Sequence, residues 1–192
     1  MLERGKDSAL ALHRILQEGR YEVASLLTTC NADFQRVSMH GVRVELLERQ
    51  AEALGFPLEK VFVPASSSNE EYEQKMSACL LAHKARGVTG VVFGDIFLED
   101  LKRWREENLA RVGLRGVFPL WKQDTGALIR EFIALGFGSV ICCVNDAYLG
   151  RRPWAGALIP RSSRHYRRRS TPAAKMGSFI PLPSRDRFSG CR

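Results

Sequence analysis

The 192-residue chain has no apolar run near the ~20 residues that cross a bilayer. Its longest, such as 88–93 and 137–144, fall well short. A charged stretch leading into an apolar one is missing from the start of the sequence, so no export signal is read there. The C-x-x-C spacing of zinc sites is missing too. The five cysteines are odd in number and irregular in spacing, with Cys142 and Cys143 adjacent. They read as reduced, mostly buried thiols of a cytoplasmic protein. Acids are scarce in one region only. Residues 151–192 hold a single one, Asp186, against eleven Lys and Arg. The totals of 29 bases and 21 acids then leave 18 and 20 for residues 1–150. The net charge of +8 therefore belongs to the tail, and it does not make the whole chain a nucleic-acid binder.

What is present from residue 5 to residue 144 is an alternation of helical and strand patterns. Helical spacing predicts helices over 9–18, 42–54, 68–86, 98–110 and 125–135, with Gly19 and Gly55 as stops. Ser68 and Glu71 have the spacing of a capping box. Apolar, β-branched stretches predict strands over 22–28, 58–63, 88–93, 116–120 and 139–144. Such alternation predicts an α/β fold, a doubly wound parallel sheet covered on both faces. Ligands of such sheets bind beyond the carboxyl ends of the strands. There lie the segments 28–41, 66–70, 94–100 and 121–124. After Gly150 the periodicity stops. The expected organisation is an α/β domain over 1–150 and a basic, disordered tail over 151–192.

Gly5-Lys6-Asp7-Ser8 runs straight into the first helix. A glycine before a helix N-terminus offers backbone N–H groups and the positive dipole end to an anion. Lys6 adds a point charge and Ser8 a hydroxyl donor. Read alone, the four residues are a weak signal. Asp95 and Glu99 either cap and solvate a helix or form a magnesium and nucleotide site, since Mg²⁺ shared with phosphates takes one or two carboxylates. His40 either makes a local hydrogen bond or takes part in function. Asn69 and Glu70 either cap a helix or meet a substrate. Trp121 reads as packing, and Arg103 and Arg105 as a solvated helix face. No metal-only site is expected.

Several blocks together resemble a known family. Gly5-Lys6-Asp7-Ser8 followed by Ala9-Leu10-Ala11-Leu12 resembles the phosphate loop of the PP-loop ATP pyrophosphatases. Residues 37–43 (V-S-M-H-G-V-R), 68–72 (S-N-E-E-Y), 93–100 (F-G-D-I-F-L-E-D) and 118–121 (F-P-L-W) resemble the diphthine–ammonia ligase (diphthamide synthase) subgroup, in order and spacing over about 5–150. The resemblance implies the fold of the adenine nucleotide alpha hydrolase-like domains. It implies binding of ATP with Mg²⁺ through Gly5, Lys6, Asp7, Ser8, Met39 and Gly94. It further implies catalytic Asp95, Glu99 and His40, and substrate contacts at Asn69 and Glu70. The implied reaction adenylates a carboxylate, of the diphthine type or a small metabolite, releases pyrophosphate and forms an amide with ammonia. A nucleotide-binding module without catalysis is the alternative. No membrane partner is expected, nucleic acid is disfavoured, and a homo-oligomer is left open.

The chain departs from the family at both ends. Glu3 and Arg4 stand where the loop has Ser and Gly, and Glu3 would set a carboxylate beside phosphate. Permitted codons for 171–191, read from the third base of Thr171, give P-C-G-E-N-G-E-F-H, the family's carboxy-terminal fingerprint. A reading frame lost near 149–152 is therefore expected. The codons of 1–6 can likewise be read as W-S-G-G-K once one base is restored. The family's first, central strand is then missing, which predicts a chain of low stability and little activity.

Overall fold

The computed structural model describes residues 5–34, 36–38 and 42–141, together with the backbone of two short strands at 157–158 and 179–182. The chain is α/β. Five helices, α1 (Lys6–Glu18), α2 (Val44–Leu54), α3 (Asn69–Ala85), α4 (Glu99–Arg111) and α5 (Thr125–Ala134), alternate with the first six strands except that β2 follows β1 directly. These are β1 (Leu26–Asn31), β2 (Arg36–Val37), β3 (Leu58–Val63), β4 (Gly90–Val92), β5 (Arg115–Val117) and β6 (Gly138–Ile141). The strands β7 (Ala157–Leu158) and β8 (Phe179–Leu182) pair antiparallel with either edge of β6.

Each helix follows from its sequence. Leu12 and Ile15 of α1, and Leu47 and Ala51 of α2, recur at helical spacing and are buried. Gly19 and Gly55 close these two helices in the left-handed region, at φ 63° and 74°, where a Cβ would be strained. Ser68 and Glu71 do form the capping box of α3, each side chain taking the other's backbone N–H. Asp124 caps α5 by accepting from the Ala127 N–H at 2.8 Å.

The parallel strands are arranged in two ladders. β1 pairs in parallel with β3 over six residue pairs, from Leu26↔Leu58 to Asn31↔Val63. β4 pairs in parallel with β5 over three. Among the described residues these ladders are not hydrogen-bonded to each other, so the parallel strands do not form one continuous sheet. β2, which the sequence pattern did not announce, turns back antiparallel on the end of β1 through Cys30↔Val37 and Asn31↔Arg36. The predicted strands at 22–28 and 116–120 are shifted by a few residues. β1 starts later because Leu26 donates its N–H to Pro57 O at 2.8 Å and so enters the ladder there.

Adjacent residues of β1 point to opposite faces. Leu26 packs with Leu12, Leu47 and Ala51 of α1 and α2. Leu27 packs with Leu80 and Leu109 of α3 and α4, and with Phe93. A third cluster joins Leu10 and Ala11 of α1 to Leu128 of α5 and to Leu120, which follows β5. Arg14 reinforces that contact through a bidentate pair with Glu131, at 2.6 and 3.2 Å, and a bond to Pro119 O at 3.1 Å. Phe132 is fully buried and stacks on Phe137 with ring centroids 4.9 Å apart. Phe132→Ala is expected to cost about 3–5 kcal/mol, read as a lowered urea midpoint at unchanged slope.

Candidate functional site

The carboxyl ends of the parallel strands share one rim, and most of the residues singled out by sequence lie on it. β1 ends at Asn31, whose side chain accepts from the N–H groups of Asp33 and Phe34 and turns the chain. Asp33 then accepts from the Ala65 N–H at 2.9 Å, tying the loop after β1 to the loop after β3. α3 begins a few residues later with Asn69 and Glu70, both exposed. β4 leads to Gly94 and Asp95, and β5 leads to the turn before α5.

α1 begins at this rim with Gly5 as its N-cap, in extended conformation and without a side-chain cap. Its first-turn N–H groups lack intrahelical acceptors by construction and face outward with the positive dipole end. Lys6 is largely covered, its side chain 11% exposed, and pairs with Asp7. The site residues Lys6, Asp7 and Ser8 are thus the first helical turn itself rather than a loop ahead of it.

Gly94 lies directly on that turn. A Cβ built there would come within 2.7 Å of Ser8 N and 2.8 Å of the Asp7 carbonyl carbon, both backbone atoms that cannot swing away. Only glycine allows this approach. It brings the turn of Gly5 to Ser8 against Gly94 and Asp95, so two segments about ninety residues apart in sequence lie side by side.

Asp95 is 16% exposed and its Oδ2 lies 3.0 Å from Arg105 Nε. That pair is close but poorly aligned for a hydrogen bond, and neither atom has another partner. Burial pushes the Asp95 carboxyl above the ordinary Asp range, with the Arg105 guanidinium pulling it back down. Arg105 corrects the sequence reading. It is not on a solvated face: its side chain is 10% exposed and its guanidinium lies over the Phe93 ring, 4.4 Å from the centroid. Its position on α4 was legible. Arg105 shares a helical stripe with Leu101, Leu109 and Val112, of which Leu109 and Val112 are buried.

Glu99 opens α4, exposed at 65%, and pairs with Lys122 at 2.8 Å. The hydrogen bond from Lys122 holds its carboxyl below the usual range. Lys122 takes a left-handed conformation, φ 56°, and donates its N–H to Ile96 O at 2.8 Å, linking the turn before α5 to the loop after β4. No sequence signal marked it. Lys102 lies over both the Phe118 and Trp121 rings, at 5.0 and 5.2 Å, and Phe118 meets Trp121 edge to face. Trp121 is thus in contact with Phe118 and Lys102. Met39 and His40 lie outside the described residues.

Among the described residues no group of three His, Cys, Asp or Glu is placed to hold a metal. The donor set suits a Mg²⁺ that takes most of its ligands from phosphate and water, with Asp95 the buried carboxylate beside the first turn of α1. The two described cysteines are free thiols, Cys30 buried and Cys79 half-buried, and burial pushes both above the ordinary thiol range. They are not reactive groups of the site.

In this α/β domain the N-terminus of α1, which has no side-chain cap from Gly5, is held against the carboxyl end of a parallel strand, the place where such folds take their ligands. The family model of the diphthamide synthase N-terminal domain matches residues 1–116, more than half of the chain. The chain belongs to that family, of the PP-loop, ATP-using type. A comparison with curated proteins found no match.

Arg105→Met would leave Asp95 buried without its counter-charge. The expected loss is about 3 kcal/mol at neutral pH. Because the folded carboxyl already titrates above its unfolded value, its removal from opposition by Arg105 raises it further. The variant's deficit is then largest at neutral pH and shrinks as the pH falls to the ordinary Asp range, where the neutral carboxyl costs little. Urea titrations at several pH values, with carboxyl chemical shifts of Asp95, check both the size and the sign.

Proposed function

We propose that this domain binds ATP with its pyrophosphate portion on the first turn of α1 and uses it to activate a carboxylate. The observation that carries this reading is the contact of Gly94 with the Asp7–Ser8 backbone, which sets the N-terminus of α1 against the carboxylate-bearing end of β4. Family membership supports ATP as the nucleotide.

In this reading the N–H groups of the turn opened by Gly5 and the Ser8 hydroxyl hold phosphate oxygens. The Lys6 ammonium balances their charge, while Asp7 positions Lys6. Asp95 and Glu99 are the carboxylates that would hold a Mg²⁺, which neutralises phosphate charge when bound. A substrate carboxylate oxygen attacks the α-phosphorus, the bond to the β-phosphate breaks, and pyrophosphate leaves. Ammonia then attacks the acyl carbon, AMP leaves, and a proton is lost to give the amide. Asn69 and Glu70, at the start of α3 on the same rim, would contact the carboxylate substrate, of the diphthine type or a small metabolite. Met39 and His40 would complete the nucleotide site and the catalytic set. We further infer a cytoplasmic protein whose ATP-binding domain spans 1–150, with 151–192 as a basic tail. The doubly wound sheet of the adenine nucleotide alpha hydrolase-like domains is the architecture that this reading requires.

The Asp95–Arg105 pair favours a second reading, in which the domain binds nucleotide without turning it over, because the buried carboxylate already has a cationic partner. The two readings separate on the product. With ATP, Mg²⁺, ammonia and a carboxylate acceptor, the ligase reading expects pyrophosphate and AMP in equal amounts, and ADP with phosphate contradicts it. Nucleotide binding without either product supports the second. Lys6→Ala is expected to weaken ATP binding about tenfold or more with folding retained, since a charge-assisted phosphate contact is worth about 1.5–3 kcal/mol. Unchanged affinity would remove the turn from the site.

A further inference from the structure

Four charges meet where Gly94 lies on the first turn of α1: Lys6 pairs with Asp7, and Asp95 faces Arg105. The two pairs are not independent. Burial is the main cause that raises the Asp95 carboxyl, and the Asp7 carboxylate adds to the rise, so both pairs share one field. Their formal charges cancel.

Arg105 and Asp95 are close without being satisfied. Nε of the one and Oδ2 of the other stand 3.0 Å apart, buried and misaligned, and neither atom makes a hydrogen bond. The Arg105 side chain is nine-tenths buried. The Phe93 ring, 4.4 Å from the guanidinium, holds the charge through its face and uses none of its N–H donors. A buried guanidinium with a donor to spare is thus aimed at the carboxylate beside the α1 turn.

A pair joined in this way can exchange partners, but not with any partner. A lone divalent cation at Asp95 would have to displace the guanidinium and leave it buried beside further positive charge. Burying a charge without its counter-charge is costly. Phosphate arriving with the cation removes that obstacle, because its oxygens accept from the displaced guanidinium. We infer that Arg105 is a positioning residue: it holds Asp95 in place and keeps divalent cations off it until phosphate reaches the first turn of α1. This inference rests on the phosphate site proposed above. It adds that the cation is admitted together with phosphate and not before it.

The test titrates the full chain with MgCl₂, first alone and then with inorganic pyrophosphate present, following the Asp95 carboxyl and the Arg105 Nε–H by NMR. In the parent chain MgCl₂ alone is expected to move neither signal, and the two salts together to move both. Arg105→Met is expected to take Mg²⁺ alone at Asp95 at least roughly tenfold more tightly than the parent chain. Arg105→Lys, which restores a cation, is expected to exclude it again. A merely structural ion pair would be lost in Arg105→Met with no gain in Mg²⁺ affinity, and that result would overturn the inference. A saturable shift of Asp95 by MgCl₂ alone in the parent chain would overturn it too, whether or not Arg105→Met folds. If the two salts shift Lys6 to Ser8 while the Arg105 Nε–H stays in place, the phosphate site stands and the role of Arg105 falls. If nothing moves the α1 turn, the phosphate site falls and this inference with it.

Discussion

The structure of the site depends on one close approach, that of the Gly94 backbone to Asp7 and Ser8. It fixes where α1 starts relative to β4, and so aims the N-terminus of the helix at the place where Asp95 emerges. Arg14 holds the far side of α1 to Glu131 and Pro119, and the Leu10–Ala11–Leu128 cluster packs beneath. A helix N-terminus alone is a common feature. One held without a side-chain cap beside a buried carboxylate is the arrangement on which the proposed nucleotide site rests.

The electrostatics of that site are arranged in pairs. Lys6 is engaged by Asp7, Asp95 by Arg105, and Glu99 by Lys122. The three pairs differ in burial, and burial decides what each is worth. Glu99 and Lys122 are mostly in water, where their attraction is weak and screened. Asp95 and Arg105 are largely removed from water, so each depends on the other, and the Phe93 ring beneath the guanidinium adds to that dependence. In the proposed reading a cation brought in by phosphate would compete with Arg105 for Asp95, and nucleotide binding would be coupled to stability through this pair.

Local rules made much of this legible in the sequence. The Ser68–Glu71 box, the glycine stops at 19 and 55, and the helical stripes of α1 and α2 are statements about neighbours three or four residues apart, and they appear as read. The Gly5–Ser8 turn and its partner Gly94 were named as candidates from residue blocks. That they touch is a long-range fact, visible only once β4 is placed. Arg105 was misread because charge was allowed to outweigh position: the helical spacing from Leu101 to Leu109 already put it on the inner face. β2 and Lys122 had no signal, being a two-residue strand and a turn residue held by backbone geometry. The separation of the parallel strands into two ladders likewise depends on edges that no single segment encodes.

The most direct measurement is a titration of the chain with inorganic pyrophosphate, following backbone amide shifts by NMR. The account predicts saturable shifts centred on Lys6, Asp7, Ser8 and Asp95, abolished in a Gly94→Val variant that still unfolds cooperatively. Shifts confined to the arginine-rich residues 161–169, or none at all, would contradict it.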